Sequence, residues 1–296
     1  MKVLDLTAQT EYKAGIVAFG FFDTIHLGHK KVIKDAVNLA RSMGVPSSVF
    51  LFKNNIFPLF GVEKHPLRTF EERISLIEPL GVDQILYVEA RRGFLDFSKE
   101  EFCSYLDHHI LIDGFTCGKD FTFGKGGEGT PADLILHYGD QHVISDLCLM
   151  DGEKVSSESV KTALFLGDVA KAERLLGEKY ALTRIVTSGR KDGSKMGFPT
   201  VNFEIDRLPL KRGVYFTNLY AEGKRYRAVT NVGAHPTFAD QKENVETYIL
   251  DFFGDLYDKV VKVEFLSYRR EIVAFKTIED LSKQISADVR ARREYD

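Results

Sequence analysis

Two histidines separated by a leucine and a glycine are the first residues of this 296-residue chain whose types and spacing could do chemistry. They close the stretch Gly20-Phe21-Phe22-Asp23-Thr24-Ile25-His26-Leu27-Gly28-His29. The stretch follows a buried-strand pattern and enters a helical one, which is where a parallel α/β sheet binds ligands, beyond the carboxyl ends of its strands. A helix N-terminus there turns about half a unit of positive charge toward a phosphate. His26 and His29 can both face that spot, and Gly28 lets a nucleotide approach the backbone closely. Imidazoles so placed can stabilise charge building on an α-phosphate in transfer, with no covalent intermediate. Phe22, Asp23 and Gly28 are expected to line the nucleotide. The bland alternative is a helix start with no ligand, and the strand before, the helix after and the glycine between weigh against it.

Two further stretches of the first half carry chemistry less specifically. Gly118-Lys119-Asp120-Phe121-Thr122-Phe123-Gly124 sets two aromatics beside a carboxylate in a glycine-bounded loop, so Asp120, Phe121 and Phe123 suit the stacking and orienting of a flat heterocycle. A turn with two core phenylalanines fits the same residues. Val155-Ser156-Ser157-Glu158-Ser159-Val160-Lys161 offers hydroxyls at a helix start and a cation one turn in, which suits a triphosphate held by Ser156, Ser157 and Lys161. As plain N-caps these serines need no ligand.

In the second half, Gly197-Phe198-Pro199-Thr200-Val201-Asn202 places a hydroxyl and an amide carbonyl two residues apart on an extended chain. Thr200 and Asn202 then point to one side and give Mg²⁺ two hard oxygen ligands, phosphates supplying others. Gly189 and Gly193, with Lys191 and Lys195, could cover a nucleotide phosphate chain, although a turn followed by a strand also accounts for the pattern. Glu246, in Val245-Glu246-Thr247-Tyr248-Ile249-Leu250-Asp251, is the best carboxylate for a general base. It shares a strand face with Tyr248 and Leu250 that is expected to line the inside of a barrel. A solvated edge residue is the alternative.

The elements that must position these residues change character along the chain. Gly15 to Phe22 reads as a buried strand, Leu27 to Met43 as a helix closed by Gly44, and Ser48 to Phe52 as a second strand, a βαβ pattern. Thr69 with Glu72, and Ser98 with Glu101, have capping-box spacing, and Gln84 to Val88 and His109 to Ile112 read as further strands. Thr130-Pro131 opens a helix, Val143 to Met150 reads as a strand turning at Asp151-Gly152, and helices follow from about Ser157 and Asp168. Alternation of this kind argues for a parallel sheet covered by helices. From Thr183 the runs are short and β-branched or aromatic: Val214 to Tyr220, Arg225 to Thr230, Val245 to Phe252 and Val260 to Tyr268. An antiparallel barrel or sandwich follows. Ile278, Leu281, Ile285 and Val289 then mark one face of a terminal helix expected to pack on it. The expected domains are residues 1–180 and 181–296, in keeping with roughly 100–200 residues per domain.

Forty Lys and Arg against forty-three Asp and Glu leave a formal charge of -3, so no global basic field would hold a nucleic-acid backbone. The start, Met1-Lys2-Val3-Leu4-Asp5-Leu6, lacks a secretory layout, and Ile16-Val17-Ala18-Phe19 falls far short of the ~20 residues that span a bilayer. The chain is expected in the cytoplasm, acting on small molecules. Cys103, Cys117 and Cys148 are odd in number and far apart, and read as reduced small hydrophobes.

The H-x-G-H signature resembles the nucleotidylyltransferase superfamily. With G-x-D-F-x-F-G and S-S-x-x-V-[basic] after it, the first half resembles the adenylyltransferase half of the bacterial bifunctional riboflavin kinase/FMN adenylyltransferases, also called FAD synthetases. The second half resembles their riboflavin kinase domain through G-F-P-T-x-N, Gly213-Val214-Tyr215, Asn231-Val232-Gly233 with Pro236-Thr237-Phe238, and the strand from Val245 to Asp251. The resemblance implies a Rossmann-like α/β domain followed by a six-stranded antiparallel barrel with a terminal helix. It implies Mg²⁺, ATP and a flavin, riboflavin passing through FMN to FAD. By the same carry-over His26 and His29 act in adenylyl transfer, Thr200 and Asn202 bind Mg²⁺-nucleotide with Gly189 and Gly197 nearby, and Glu246 is the kinase base. One working half, or a flavin- or nucleotide-binding regulator, are the competing readings. Departures cluster in the first half. Phe21 stands for the family's Asn or small residue, Thr24 for glycine, and Lys161 for arginine. The usual F-x-P-H-P reads Phe52-Lys53-Asn54-Asn55-Ile56, where Lys53 could replace the missing histidine's charge. In the kinase half Arg184 replaces a glycine and Ser194 an arginine.

Overall fold

Val32, Ile33, Ala36, Val37 and Ala40 recur at three- and four-residue spacing and are all buried, so α1 (Leu27–Met43) presents one apolar stripe to the interior. His26 caps it, its Nδ1 accepting from the His29 backbone N–H at 3.1 Å, and Gly44 ends it at φ 68°, a left-handed conformation that glycine adopts without strain. The computed structural model describes residues 1–7, 11–62, 66–187, 200–204, 209–235 and 240–295. Among them, contacts divide the chain into Met1–Ser157 and Glu158–Asp296.

In the first unit α1 packs on a sheet of β1 (Lys2–Asp5), β2 (Tyr12–Ala18), β3 (Ser47–Phe52), β4 (Gln84–Val88), β5 (Ile110–Gly118) and β6 (His142–Ser145). All neighbours are parallel, in the order β1-β4-β3-β2-β5-β6. The other helices are α2 (Phe70–Ile77), α3 (Arg92–Leu95), α4 (Lys99–His109) and α5 (Pro131–Tyr138). Inner strands are apolar on both faces because both are covered. Ile16, Ala18, Val49, Leu51 and Ile85 join the α1 stripe, whereas Val17, Phe50 and Leu86 join Phe102, Cys103 and Leu106 of α4. Strands β3 and β4 extend the sheet to one side of β2, and β5 and β6 to the other. The carboxyl ends of β2 and β5 thus form a topological switch point, the crevice where open α/β sheets take ligands. The stretch Gly20–His29 leaves β2 there, and Asp120 to Phe123 leaves β5.

Both expected capping boxes form, at Thr69 with Glu72 and at Ser98 with Glu101. Strand β2, expected to run to Phe22, ends at Ala18, because Phe22 (φ 45°) and Ile25 (φ 53°) are left-handed and take the chain out of the sheet. The run expected from Val143 to Met150 breaks after Ser145. Its last residues form β7 (Leu149–Met150), which pairs antiparallel with β8 (Glu153–Lys154) across Asp151 and Gly152, both at positive φ as a tight two-residue hairpin requires.

The second unit begins in α6 (Ser157–Leu166) and continues through α7 (Val169–Leu176). This division lies earlier than the boundary expected near residue 180; α7 packs against a barrel strand. The strands are β9 (Ala181–Ile185), β10 (Thr200–Glu204), β11 (Gly213–Ala221), β12 (Lys224–His235), β13 (Asp240–Ile249) and β14 (Val260–Arg270), antiparallel in the order β10-β13-β12-β11-β14-β9. Thr187, just past β9, bridges Asn202 of β10, its N–H donating to the Asn202 carbonyl at 2.9 Å, and this closes the six strands into a barrel. Inside, Thr230 shares hydrogen bonds with Thr217 (2.8 Å) and Thr247 (2.9 Å), so three fully buried hydroxyls satisfy one another.

Strand periodicity corrects one expectation. Val245, Thr247 and Ile249 are buried and line the inside, so Glu246 and Tyr248 lie on the outer face, half-buried. The terminal helix, α8 (Ile278–Glu294), covers part of that outer wall, with Val289 and Ala291 against Phe216, Val229, Tyr248 and Leu250. It docks less by its apolar stripe than expected, since Ile278 is exposed and the buried residues are Asp288 and Arg292. Asp288 accepts from Arg270 at 2.7 to 3.2 Å; Arg292 donates to the Thr217 carbonyl (3.1 Å) and Asn218 Oδ1 (2.7 Å).

Candidate active sites

The switch point of the first unit opens into a cavity of about 480 Å³, a size ordinary for small-molecule sites. His26, Gly28 and His29 line one wall, Asp120, Phe121 and Phe123 another, and Lys154 and Ser156 a third. The H-x-G-H stretch and the aromatic loop, about ninety residues apart in sequence, therefore face one space. Phe121 and Phe123 stack with ring centroids 5.9 Å apart, and Phe121 stacks on Phe19 at 6.1 Å. Phe123 also belongs to the core, packed on Phe102 at 5.3 Å, as the reading of a turn with core phenylalanines expects. A β-carbon on Gly28 would stand 3.1 Å from the His26 ring and 3.5 Å from Cys148, and glycine keeps this approach open. Cys103 and Cys117 are buried as expected, whereas Cys148 is half-exposed and lines the cavity.

The imidazoles of His26 and His29 stack with centroids 3.6 Å apart, and Phe22 meets the edge of His29 at 5.2 Å. Because Nδ1 of His26 accepts a backbone N–H, its proton belongs on Nε2. Nδ1 of His29 is enclosed without a hydrogen-bond partner among the described residues, an unmet capacity a bound group can satisfy. Burial pushes His26 down to about 4 against the pull of Asp23; burial and then His26 push His29 the same way. Both rings are thus neutral at pH 7, poised to donate hydrogen bonds rather than full charges. A sign follows for stability. Between pH 6.5 and about 4 the unfolded chain takes a proton on His26 that the folded chain refuses, so stability falls as the pH is lowered through this window, by about 1.4 kcal/mol per pH unit at the steepest for each such histidine. Urea unfolding of the first unit at pH 7, 5.5 and 4.5 is expected to show that slope, and His26→Asn with His29→Asn to flatten it. Equal slopes in both proteins would contradict the neutral buried pair.

Around this wall, Ser157 donates to the buried carboxylate of Asp23 and shares a 3.2 Å hydrogen bond with Thr24. Ser157 and Asp23 accordingly brace the motif loop, and Ser156 is the serine that lines the cavity. Thr24 sits at negative φ, so the glycine usual in the family is not needed there. Lys161 lies on α6 in the second unit. The Lys53 ammonium lies 5.8 Å from the centre of the Tyr87 ring, and Lys53 is not among the residues that line the cavity. Asn54 is occupied by a reciprocal pair of 2.9 Å bonds with the Ala90 backbone, and Asn55 accepts from Phe57 N–H at 3.2 Å. Sequence reasoning passed over Lys154 and Arg73. Arg73 is buried on the inner face of α2, where its Nη2 donates to the Phe52 carbonyl at 2.7 Å and anchors the end of β3. A charge inside an otherwise apolar helix stripe was the signal for it.

In the second unit, register places Asn202 of β10 opposite Glu246 of β13, and Thr200 opposite Tyr248. Partners across a ladder share a face, so all four side chains emerge on one side. The Thr200 hydroxyl donates to Glu246 Oε1 at 2.5 Å, and Asn202 Oδ1 accepts a long bond from Asn244 at 3.5 Å. Asn231 of β12 stands opposite Glu246 on its other side. The set is all oxygen and includes one carboxylate, as a magnesium–phosphate site requires. Among the described residues no cluster of three or more His, Cys, Asp or Glu could hold an ion unaided. Gly189 and Gly197, with Gly193, Lys191, Lys195 and Ser194, lie outside the described residues, as do Pro236, Thr237 and Phe238.

Comparison with known proteins joins the two sites. The chain matches the FAD synthetase family over residues 8–159 and the riboflavin kinase family over residues 176–295. It is 32% identical to the bifunctional riboflavin kinase/FMN adenylyltransferase of Bacillus subtilis, the alignment covering 97% of this chain and 96% of that one. With the protein of the same description from Pseudomonas fluorescens it shares 33% identity over 96% of this chain and 93% of that one. A crystal structure described as a macrolide-efflux protein from Streptococcus pneumoniae superimposes over the whole of both chains with a TM-score of 0.85 at 26% identity. Among the described residues no helix is long and apolar enough to cross a membrane. With both halves matched in order, and with relatives aligned over nearly its full length, the chain belongs to the bifunctional riboflavin kinase/FMN adenylyltransferase family.

Proposed function

We propose that this chain makes FAD from riboflavin in two ATP-consuming steps, phosphorylation of riboflavin with Glu246 as the base and adenylyl transfer to FMN assisted by His26 and His29. The observation that carries the first step is the 2.5 Å bond between Thr200 and Glu246, which sets a carboxylate beside two hard oxygen donors on one face of the barrel. Glu246 takes the proton of the terminal ribityl hydroxyl as that oxygen attacks the γ-phosphorus of ATP and ADP leaves. Thr200 and Asn202 fit Mg²⁺, which when bound would neutralise charge on the phosphoryl group in transfer. Gly189 and Gly197 are assigned to the cover of that nucleotide. In the second step a phosphate oxygen of FMN attacks the α-phosphorus of a second ATP and pyrophosphate leaves. His26 and His29 donate N–H bonds to the oxygens that gain charge. Asp120, Phe121 and Phe123 hold the flavin; Phe22, Asp23, Gly28, Ser156, Ser157 and Lys161 hold or shape the nucleotide site. We place adenylyl transfer within residues 1–180 and phosphorylation within 181–296, in a cytoplasmic enzyme whose partners are small molecules. Chromatography of products from riboflavin and Mg²⁺-ATP tests the reading, and a protein that makes neither FMN nor FAD sinks it.

Adenylyl transfer is expected to be the slower step. Asn54 and Asn55 are committed to local backbone bonds, Lys53 leans on Tyr87, and Lys161 lacks the planar fork of arginine. A charge-assisted bond lost from the transition state is worth about 1.5–3 kcal/mol, roughly one to two powers of ten in rate. A time course started with riboflavin and excess Mg²⁺-ATP should therefore show FMN rising before FAD. FAD appearing with no free FMN at any time would contradict this.

A further inference from the structure

Electrostatics leave the first-unit cavity short of positive charge for the substrate assigned to it. Its described lining includes two carboxylates, Asp120 and Asp146, and a single Lys or Arg side chain, Lys154. The neutral histidines offer dipoles only. A nucleoside triphosphate brings about four negative charges, and its leaving pyrophosphate must be held as the bond to the α-phosphorus breaks.

Lys154 is placed to answer that need. It ends β8 of the tight hairpin, and the next residue, Val155, is buried and donates to the Cys148 carbonyl at 2.8 Å, so the hairpin's base is fixed beside the cavity. The ammonium is near enough to His26 to act on it electrostatically and is bonded to Asp120 Oδ2, with both side chains about half exposed. A pair this exposed contributes little to stability, whereas an ammonium on a polyphosphate gains more by the higher anionic charge. The existing partner is thus cheaply exchanged. We propose that Lys154 is the cation that grips the pyrophosphate end of the nucleotide in this cavity, exchanging Asp120 for the triphosphate and freeing that carboxylate for the flavin. The inference rests on the adenylyl-transfer reading and adds a binding residue outside every motif that led to it. Exchange also couples the substrates: nucleotide that takes Lys154 unmasks the carboxylate assigned to FMN.

The test is steady-state adenylylation of supplied FMN by the full chain, with Mg²⁺-pyrophosphate binding measured separately by calorimetry. Lys154→Met is expected to raise the KM for ATP about ten- to hundredfold and to weaken pyrophosphate binding similarly, with the KM for FMN little changed. Lys154→Arg should restore most of both. Asp120→Asn should raise the KM for FMN and not that for ATP. Unchanged ATP and pyrophosphate affinities in Lys154→Met overturn the proposal, and so does an equal rise in both KM values, which would mark Lys154 as a clasp for the Asp120 loop. A wild-type chain that forms FMN from riboflavin and never FAD would instead overturn the underlying assignment of the cavity.

Discussion

Glu246→Gln is expected to abolish FMN formation from riboflavin and to leave FAD formation from supplied FMN largely intact. Glutamine has the same shape, and its amide oxygen can still accept the Thr200 hydroxyl that now donates to Oε1 at 2.5 Å. It cannot take the proton of an attacking hydroxyl, and a positioned base is worth roughly 100- to 10,000-fold in rate. The fold has little at stake, because Glu246 lies on the outer face while Val245, Thr247 and Ile249 hold the barrel interior. Unfolding should therefore be unaltered within about 0.5 kcal/mol, as for substitutions away from core features. Phosphorylation that persists within a few fold of the wild type would remove Glu246 as the base. Adenylyl transfer supplies the internal control, since His26 and His29 belong to the other compact unit.

Local patterns read well from this sequence wherever one interaction decides them. The boundaries of α1 follow from His26 and Gly44, and both capping boxes follow from a hydroxyl and a glutamate three residues apart. The order of elements also places the two first-unit motifs at strand ends, and a parallel sheet with its switch point between β2 and β5 then brings them to one cavity. What escaped the sequence were facts set by partners distant along the chain. Which face of β13 points inward depends on the closing of the barrel, and alternation alone gives two faces without saying which is inside. The sequence therefore predicts an inward Glu246, and the structure sets it on the outer face. The terminal helix shows the same limit. Its apolar spacing was visible, yet its seat is fixed by Asp288 on Arg270 and by Arg292 on the β11 backbone, whose positions no periodicity reports. Lys154 and Lys53 invert each other. The lysine beside a recognised motif position turns toward Tyr87, and the one at the end of a plain hairpin lines the cavity.

Removing both imidazoles should have the reverse effect of Glu246→Gln, ending adenylyl transfer while riboflavin phosphorylation continues. In His26→Ala with His29→Ala, the transferring phosphate loses two N–H donors. Loss of one preorganised donor from an oxyanion-type site costs about 100- to 1,000-fold, so FAD formation from FMN should fall by at least that factor. The alanine pair also removes the cap that Nδ1 of His26 gives α1, worth about 1 kcal/mol, and the 3.6 Å stack. His26→Asn with His29→Asn separates the two effects, because asparagine is a preferred N-cap and fills part of the space, yet neither side chain reaches as far as an imidazole Nε2. Both double variants should lose FAD synthesis, and the asparagine form should keep α1 and melt closer to the wild type. FAD made at the normal rate by a folded asparagine variant would show that His26 and His29 are a helix cap and a buried stack with no part in the transfer.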